Sequence, residues 1–119
     1  MTPMPEHNWV FYAQLTRVVD GDTLDMVIDQ AMHSRRVERL RLLRVNAPEM
    51  RTPTYEAGHV AKAYVEAWLA EGVTNVWPFI VQTYKSDSFG RYLAEVWRVS
   101  DGANLSDALL ESGNAVPYV

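Results

Sequence analysis

Mainly β with helices is the fold class the sequence predicts, an α+β domain built as a five-stranded OB-type β-barrel with a helix between strands 3 and 4 and a C-terminal helix. Three observations lead there. The segments follow the order three strands, helix, two strands, helix. A strong tight-turn signal, Asp20-Gly21, joins the first two strands. One amphipathic helical stretch separates the third strand from the fourth. A generic α+β sandwich is compatible with the same order.

The elements can be justified in turn. Trp9 to Val19 is rich in aromatic and β-branched residues and reads as a strand. Thr23 to Ile28 is its return, with Leu24, Met26 and Ile28 alternating onto one face. Asp29 to His33 forms a hairpin loop, and Arg35 to Val45 an arginine-rich third strand. Asn46-Ala47-Pro48 must leave that strand, because Pro48 has no N–H for a ladder. Thr54 to Glu71 is helical, with Val60, Tyr64 and Trp68 at four-residue spacing beside Ala57 and Ala61. Gly58 sits awkwardly inside it, and Gly72 is a C-terminal stop. Thr74 to Thr83 and Arg91 to Val99 read as two further strands, joined by a turn-rich loop from Tyr84 to Gly90. Ala103 to Ser112 is a short helix ended by Gly113, and Asn114 to Val119 is an extended tail.

The length of 119 residues allows one domain, expected over 9–119 after an N-terminal tail over 1–8. Hydrophobic residues make up 48% of the chain, enough for a real core and against disorder. No cysteine is present, which excludes disulfides and thiolate metal sites. The polar N-terminus lacks the apolar stretch of a signal peptide, so the cytoplasm is the expected compartment. No apolar run approaches the roughly 18 residues needed to span a membrane. A monomer is the default expectation. The net charge of −4 argues against a general basic coat for nucleic acid, so any role with nucleic acid must rest on local charge. Arg35, Arg36, Arg39, Arg41, Arg44 and Arg51 supply such a concentration around the third strand. His7, His33 and His59 show no metal-ligand spacing.

Four features carry potential chemistry. Asp22 shares strand parity with the apolar Leu24, Met26 and Ile28, and a carboxylate there costs free energy unless a metal ion or an arginine pairs with it. Arg41, inside Leu40-Arg41-Leu42-Leu43, needs an anionic partner or ligand. Pro48 stiffens the exit of the third strand and projects Glu49 from a defined loop. Phe89-Gly90-Arg91 places a guanidinium at the start of a strand. Each alone reads better as a turn, a solvated charge or an ordinary hairpin. Their order and combination are much rarer.

That combination resembles the staphylococcal nuclease (thermonuclease) family. The matching stretches are Val18 to Thr23, Arg41 to Glu49, Asp87 to Ala94, and Asn104 to Leu110 with Gly113 and Ala115 to Tyr118. The resemblance implies an OB-type barrel bearing a calcium-dependent site that cuts DNA and RNA endonucleolytically, leaving 5′-hydroxyl and 3′-phosphate ends. It implies metal ligation by Asp22, by Asn46 where the family usually has an Asp, and by the backbone carbonyl of Ala47. It implies Glu49 as the acid that directs the attacking water. Arg41 and Arg91 correspond to the pair holding the scissile phosphate, Tyr118 to the aromatic beside the nucleotide pocket, and Lys85 to an outer phosphate contact. Phe89 stands where a Tyr hydroxyl often meets phosphate, so that contact is expected to be missing.

The roles are physically coherent. Two guanidiniums and a divalent cation suit the negative charge gathered in a phosphodiester transition state. Asn46 can offer an amide oxygen but no charge, and fewer anionic ligands weaken a calcium site. Two other readings compete: a catalytically silent OB module that binds single-stranded nucleic acid or a protein partner, and a metal-independent structural domain whose charges are surface pairs.

Overall fold

The computed structural model describes residues 2–4, 9–51, 53–71, 76–86 and 90–118, the side chains at 85 and 86 excepted. Strands β1 (Val10–Asp20), β2 (Thr23–Asp29) and β3 (Arg35–Leu42) come first, followed by a short β4 (Val45–Asn46). Helix α1 (Tyr55–Glu71), strands β5 (Phe79–Ser86) and β6 (Tyr92–Arg98), helix α2 (Leu105–Ser112) and a short β7 (Val116–Pro117) complete the order. The five long strands close a barrel in the order β1-β2-β3-β6-β5, and β4 pairs with β7 at its edge. All barrel pairings are antiparallel except β3 with β6, which run parallel. This is the predicted barrel, with its helix between the third and fourth long strands.

Alternation explains the closure. Leu24, Met26 and Ile28 of β2 and Leu40 and Leu42 of β3 point inward with Ala13, Phe79, Val81, Ala94 and Val96. Burying a large apolar side chain of this kind stabilises by about 1.5–3 kcal/mol. Bulges in β1 between Leu15 and Arg17, and between Val18 and Asp20, add the bend that a small closed barrel needs. Helix α1 covers one side with Ala61, Val65, Trp68 and Leu69, and α2 adds Leu105 and Leu109. Asn104 caps α2 by accepting from the Asp107 N–H, and Gly113 closes it as expected. No helix among the described residues is long and apolar enough to cross a membrane.

The structure corrects several boundaries. The third strand does not run unbroken to Val45. It ends at Leu42, and Arg44 takes a left-handed backbone (φ 70°) before β4 begins. The turn is held by distant groups: the Arg44 guanidinium donates to Glu95, Asp107 and Asn104, and its carbonyl accepts the Tyr118 N–H. The buried face of α1 is rotated from the predicted line, leaving Val60 60% exposed. The fourth long strand starts at Phe79, directly after Pro78, instead of at Thr74. The expected stop at Gly72 lies outside the described residues. The C-terminal tail gains a strand, because β7 pairs with β4.

Candidate active site

The turn between β1 and β2 delivers Asp22 to the end of the barrel. Its residue is 8% exposed. One carboxylate oxygen, Oδ2, accepts the Ala47 N–H at 2.9 Å, and Oδ1 accepts the Thr23 hydroxyl at 3.1 Å. The β2–β3 register aligns Thr23 with Arg41, so that Arg41 arrives beside this carboxylate. Arg41 Nη2 lies 3.5 Å from Asp22 Oδ2 and 3.4 Å from Asn46 Oδ1. Its Nη1 donates to the Leu42 carbonyl at 2.7 Å and the Val45 carbonyl at 2.9 Å. Only 12% of the Arg41 side chain is exposed. The β4–β7 pair then brings Tyr118 over it, with the ring centroid 5.6 Å from the guanidinium carbon. Asp22, Arg41, Asn46, Ala47 and Tyr118 therefore converge as one cluster.

Burial lifts the Asp22 carboxyl above the ordinary carboxylate range, and the neighbouring Asp20 carboxylate adds to the rise. The Ala47 N–H and the Arg41 charge oppose it without prevailing. A carboxylate in this state is short of positive charge, and an entering cation would relieve it. The donors that could receive one are all hard oxygens: the Asp22 carboxylate, the Asn46 amide and the Ala47 carbonyl. That chemistry fits calcium. Among the described residues, however, no cluster of three or more His, Cys, Asp or Glu could hold a metal ion, so carboxylates alone do not form the site.

Glu49 stands apart. Its side chain is 69% exposed, and Arg51 Nε lies 3.1 Å from its carboxylate. Its backbone is firmly placed: the Glu49 carbonyl accepts the Thr54 hydroxyl at 2.7 Å. A Cβ on Gly58 would fall 2.4 Å from the same carbonyl oxygen. Only glycine permits α1 to approach the Glu49 loop so closely. Gly21 plays a similar part, since a Cβ there would lie 2.7 Å from Ala47 Cβ and 2.8 Å from Ala61 Cβ. Thr54, just ahead of α1, and Gly58 and Ala61 within it thus support the Glu49 and Ala47 loop, which residue chemistry alone did not indicate. The one available signal was the costly glycine in mid-helix.

Arg91 is half-buried just before β6. The parallel register pairs Arg41 with Leu93, so Arg91 lies two residues before the partner of Arg41, at the entry to the adjacent strand. The side chain of Lys85 and all of Phe89 lie outside the described residues.

The family model described as staphylococcal nuclease homologue matches residues 39–119. Two relatives from Escherichia coli, one from strain O157:H7, carry the description "Uncharacterized endonuclease". Each is 28% identical over 107 residues, which cover 90% of this chain and 61% of the relative. The chain therefore spans about three-fifths of the length of the curated relatives it matches.

Proposed function

Because this chain belongs to the staphylococcal nuclease homologue family, we propose that residues 9–119 form a calcium-dependent endonuclease domain, acting as a monomer on phosphodiester bonds of DNA or RNA. The observation that carries this reading is the Asp22–Arg41 contact at the oxygen-lined end of the barrel, with Asn46, Ala47 and Tyr118 around it. The description of the relatives as endonucleases points the same way.

Arg41 is built to hold a phosphate. The two carbonyls on Nη1 fix the plane of its guanidinium. On the other edge, Nη2 makes two long contacts, 3.4 Å to Asn46 Oδ1 and 3.5 Å to Asp22 Oδ2, and the Nε–Nη2 edge suits two phosphate oxygens. Arg91, from the neighbouring strand, is the second phosphate-holding group in this reading. Tyr118 walls the cluster and takes the face of a base or sugar. Lys85, on β5, is an outer phosphate contact. Asp22, Asn46 and the Ala47 carbonyl would hold calcium, which when bound supplies positive charge to the phosphate oxygens. Glu49 leaves Arg51 when substrate fills the site, then accepts a proton from the water that attacks phosphorus. The phosphate stays on the 3′ side as the 5′ oxygen departs. The exposure of Glu49 leaves its side chain room for this movement.

Cleavage of heat-denatured DNA at millimolar calcium tests the proposal, with a chelator control and Glu49→Gln in parallel. Loss of the water-directing carboxylate is expected to lower kcat by about 10²–10⁴. Cleavage that persists through both changes overturns the reading. Asn46, which brings no charge, favours a second one: a module that binds single-stranded nucleic acid and does not turn over. The same assay separates them, since binding with no product at any calcium concentration is its signature.

A further inference from the structure

The barrel carries a second feature that the cluster does not use. A groove of about 850 Å³ is lined among others by Trp9, Phe11, Arg36, Leu40, Tyr84 and Tyr92. Its described walls are mainly apolar, and Trp9, Tyr84 and Tyr92 are exposed there. Large aromatic side chains left in water at one opening are costly unless they serve a ligand. Arg36 and Glu38, the charged residues of its described lining, pair with each other. Ring faces in a mainly apolar slot suit flat, uncharged bases.

We propose that this groove is a base-binding subsite, which stacks unpaired nucleobases of the strand whose phosphate lies at Arg41 and Arg91. The inference rests on the nuclease reading for its connection to cleavage, but not for binding itself. Continuity supports the occupant. The parallel pairs Leu40↔Tyr92 and Arg41↔Leu93 put groove residues and phosphate-site residues on the same two strands, next to one another in sequence. Leu43 and Leu93, which also line the groove, extend it toward the end of β3 where Arg41 lies. A polynucleotide is amphipathic in the matching sense: phosphates at the arginines, bases in the apolar slot. Stacking on aromatic rings is tolerant of sequence, since every base presents a π-face. Bases held in a duplex cannot enter.

The test is binding of labelled (dT)12 to the full chain in chelator, where no cleavage proceeds, followed by fluorescence anisotropy. Trp9→Ala and Tyr92→Ala are each expected to raise Kd about five- to tenfold, the effect of one lost stacking platform. Tyr92→Phe keeps the ring and is expected to bind as the parent does. Affinity for thymidine 3′,5′-bisphosphate is expected to stay unchanged in all three, because that ligand reaches only the phosphate cluster. A second arm needs no variant: an abasic oligonucleotide of the same length is expected to bind at least tenfold more weakly than (dT)12. Equal binding of abasic and normal strands, or wild-type affinity in Trp9→Ala and Tyr92→Ala, overturns the proposal. Failure to bind (dT)12 at all overturns it too and leaves the groove to a protein partner. Failure of the nuclease reading shows in the separate cleavage assay at millimolar calcium, and these binding arms in chelator do not depend on it.

Discussion

Asp22 is the residue whose surroundings work against its charge. Its carboxyl holds a proton to higher pH in the fold than the ordinary value of 3.8, chiefly through burial. The folded chain therefore binds that proton more tightly than the unfolded chain does. Stability from this group is complete below the ordinary value and is lost as pH rises through the raised one. At neutral pH the metal-free protein carries the full cost. Asp22→Asn, which cannot ionise, is expected to raise the melting midpoint in chelator at pH 7. The gain should shrink as pH falls toward 3.8. The same variant should lose any stabilisation by calcium. A lower midpoint for Asp22→Asn at pH 7 would show that the Arg41 pairing outweighs burial. Asn46 supplies the reciprocal experiment. Asn46→Asp adds the missing negative charge beside Arg41 and Asp22, and is expected to lower the calcium concentration for half-maximal cleavage by about tenfold, equivalent to ~1.4 kcal/mol. An unchanged calcium response would remove residue 46 from the ligand set.

Helix α1 bears a glycine in its interior, which costs roughly 1 kcal/mol against alanine. The close approach of the Glu49 carbonyl explains why that cost is borne. Gly58→Ala should force the two backbones apart by about the missing ångström and cost about 1–3 kcal/mol as overpacking does. If the loop positions Glu49 for catalysis, kcat falls in Gly58→Ala while KM, governed by the phosphate contacts, changes little. Thr54→Val removes the hydroxyl bond to the same carbonyl and should act in the same direction, with Thr54→Ser restoring it. A parallel loss in kcat and KM would mark general disruption instead. Much of this architecture was legible beforehand. Period-two alternation revealed β2 and the misplaced carboxylate of Asp22, and Asp20-Gly21 marked the hairpin. The break after Leu42 was not, because it depends on Arg44 meeting Glu95, Asp107 and Asn104, partners far away in sequence. The helix face holds at Ala61 and Trp68 but turns away from Val60 for a related reason: the small Gly58 faces inward with Ala61, because the Glu49 loop and Gly21 lie against them. Hydrophobicity alone favours Val60.

Across the whole molecule the charge of −4 looks unsuited to a polyanionic substrate, yet pairing changes its meaning. Arg36 is neutralised by Glu38, Arg39 by Asp25, Arg44 by Glu95 and Asp107, Arg51 by Glu49, and Arg98 by Glu71 and Asp101. Among the described residues these five arginines are thus tied to acids, as Arg41 is to Asp22, and the concentration of arginines around β3 is weaker as a field than as a count. Arg44 illustrates the strength of such ties, since Glu95 and Asp107 drive its guanidinium still further from deprotonation. On the proposed function, affinity for nucleic acid would then come from few phosphate contacts, assisted by stacking that releases no counterions. The expected consequence is a shallow salt dependence. With Arg41 and Arg91 as two phosphate contacts, single-strand binding should follow log[salt] with a slope of roughly −1.4. Raising salt from about 50 to 200 mM should then weaken (dT)12 binding only about sevenfold, against losses of ~10³–10⁵ for proteins that neutralise many phosphates on duplex DNA. Arg41→Ala should flatten the slope by about 0.7, whereas Tyr92→Ala should weaken binding and leave the slope unchanged. A steep slope would mean that arginines now paired with acids release them to reach the strand, and would move the binding surface from the groove to the outer face of β3.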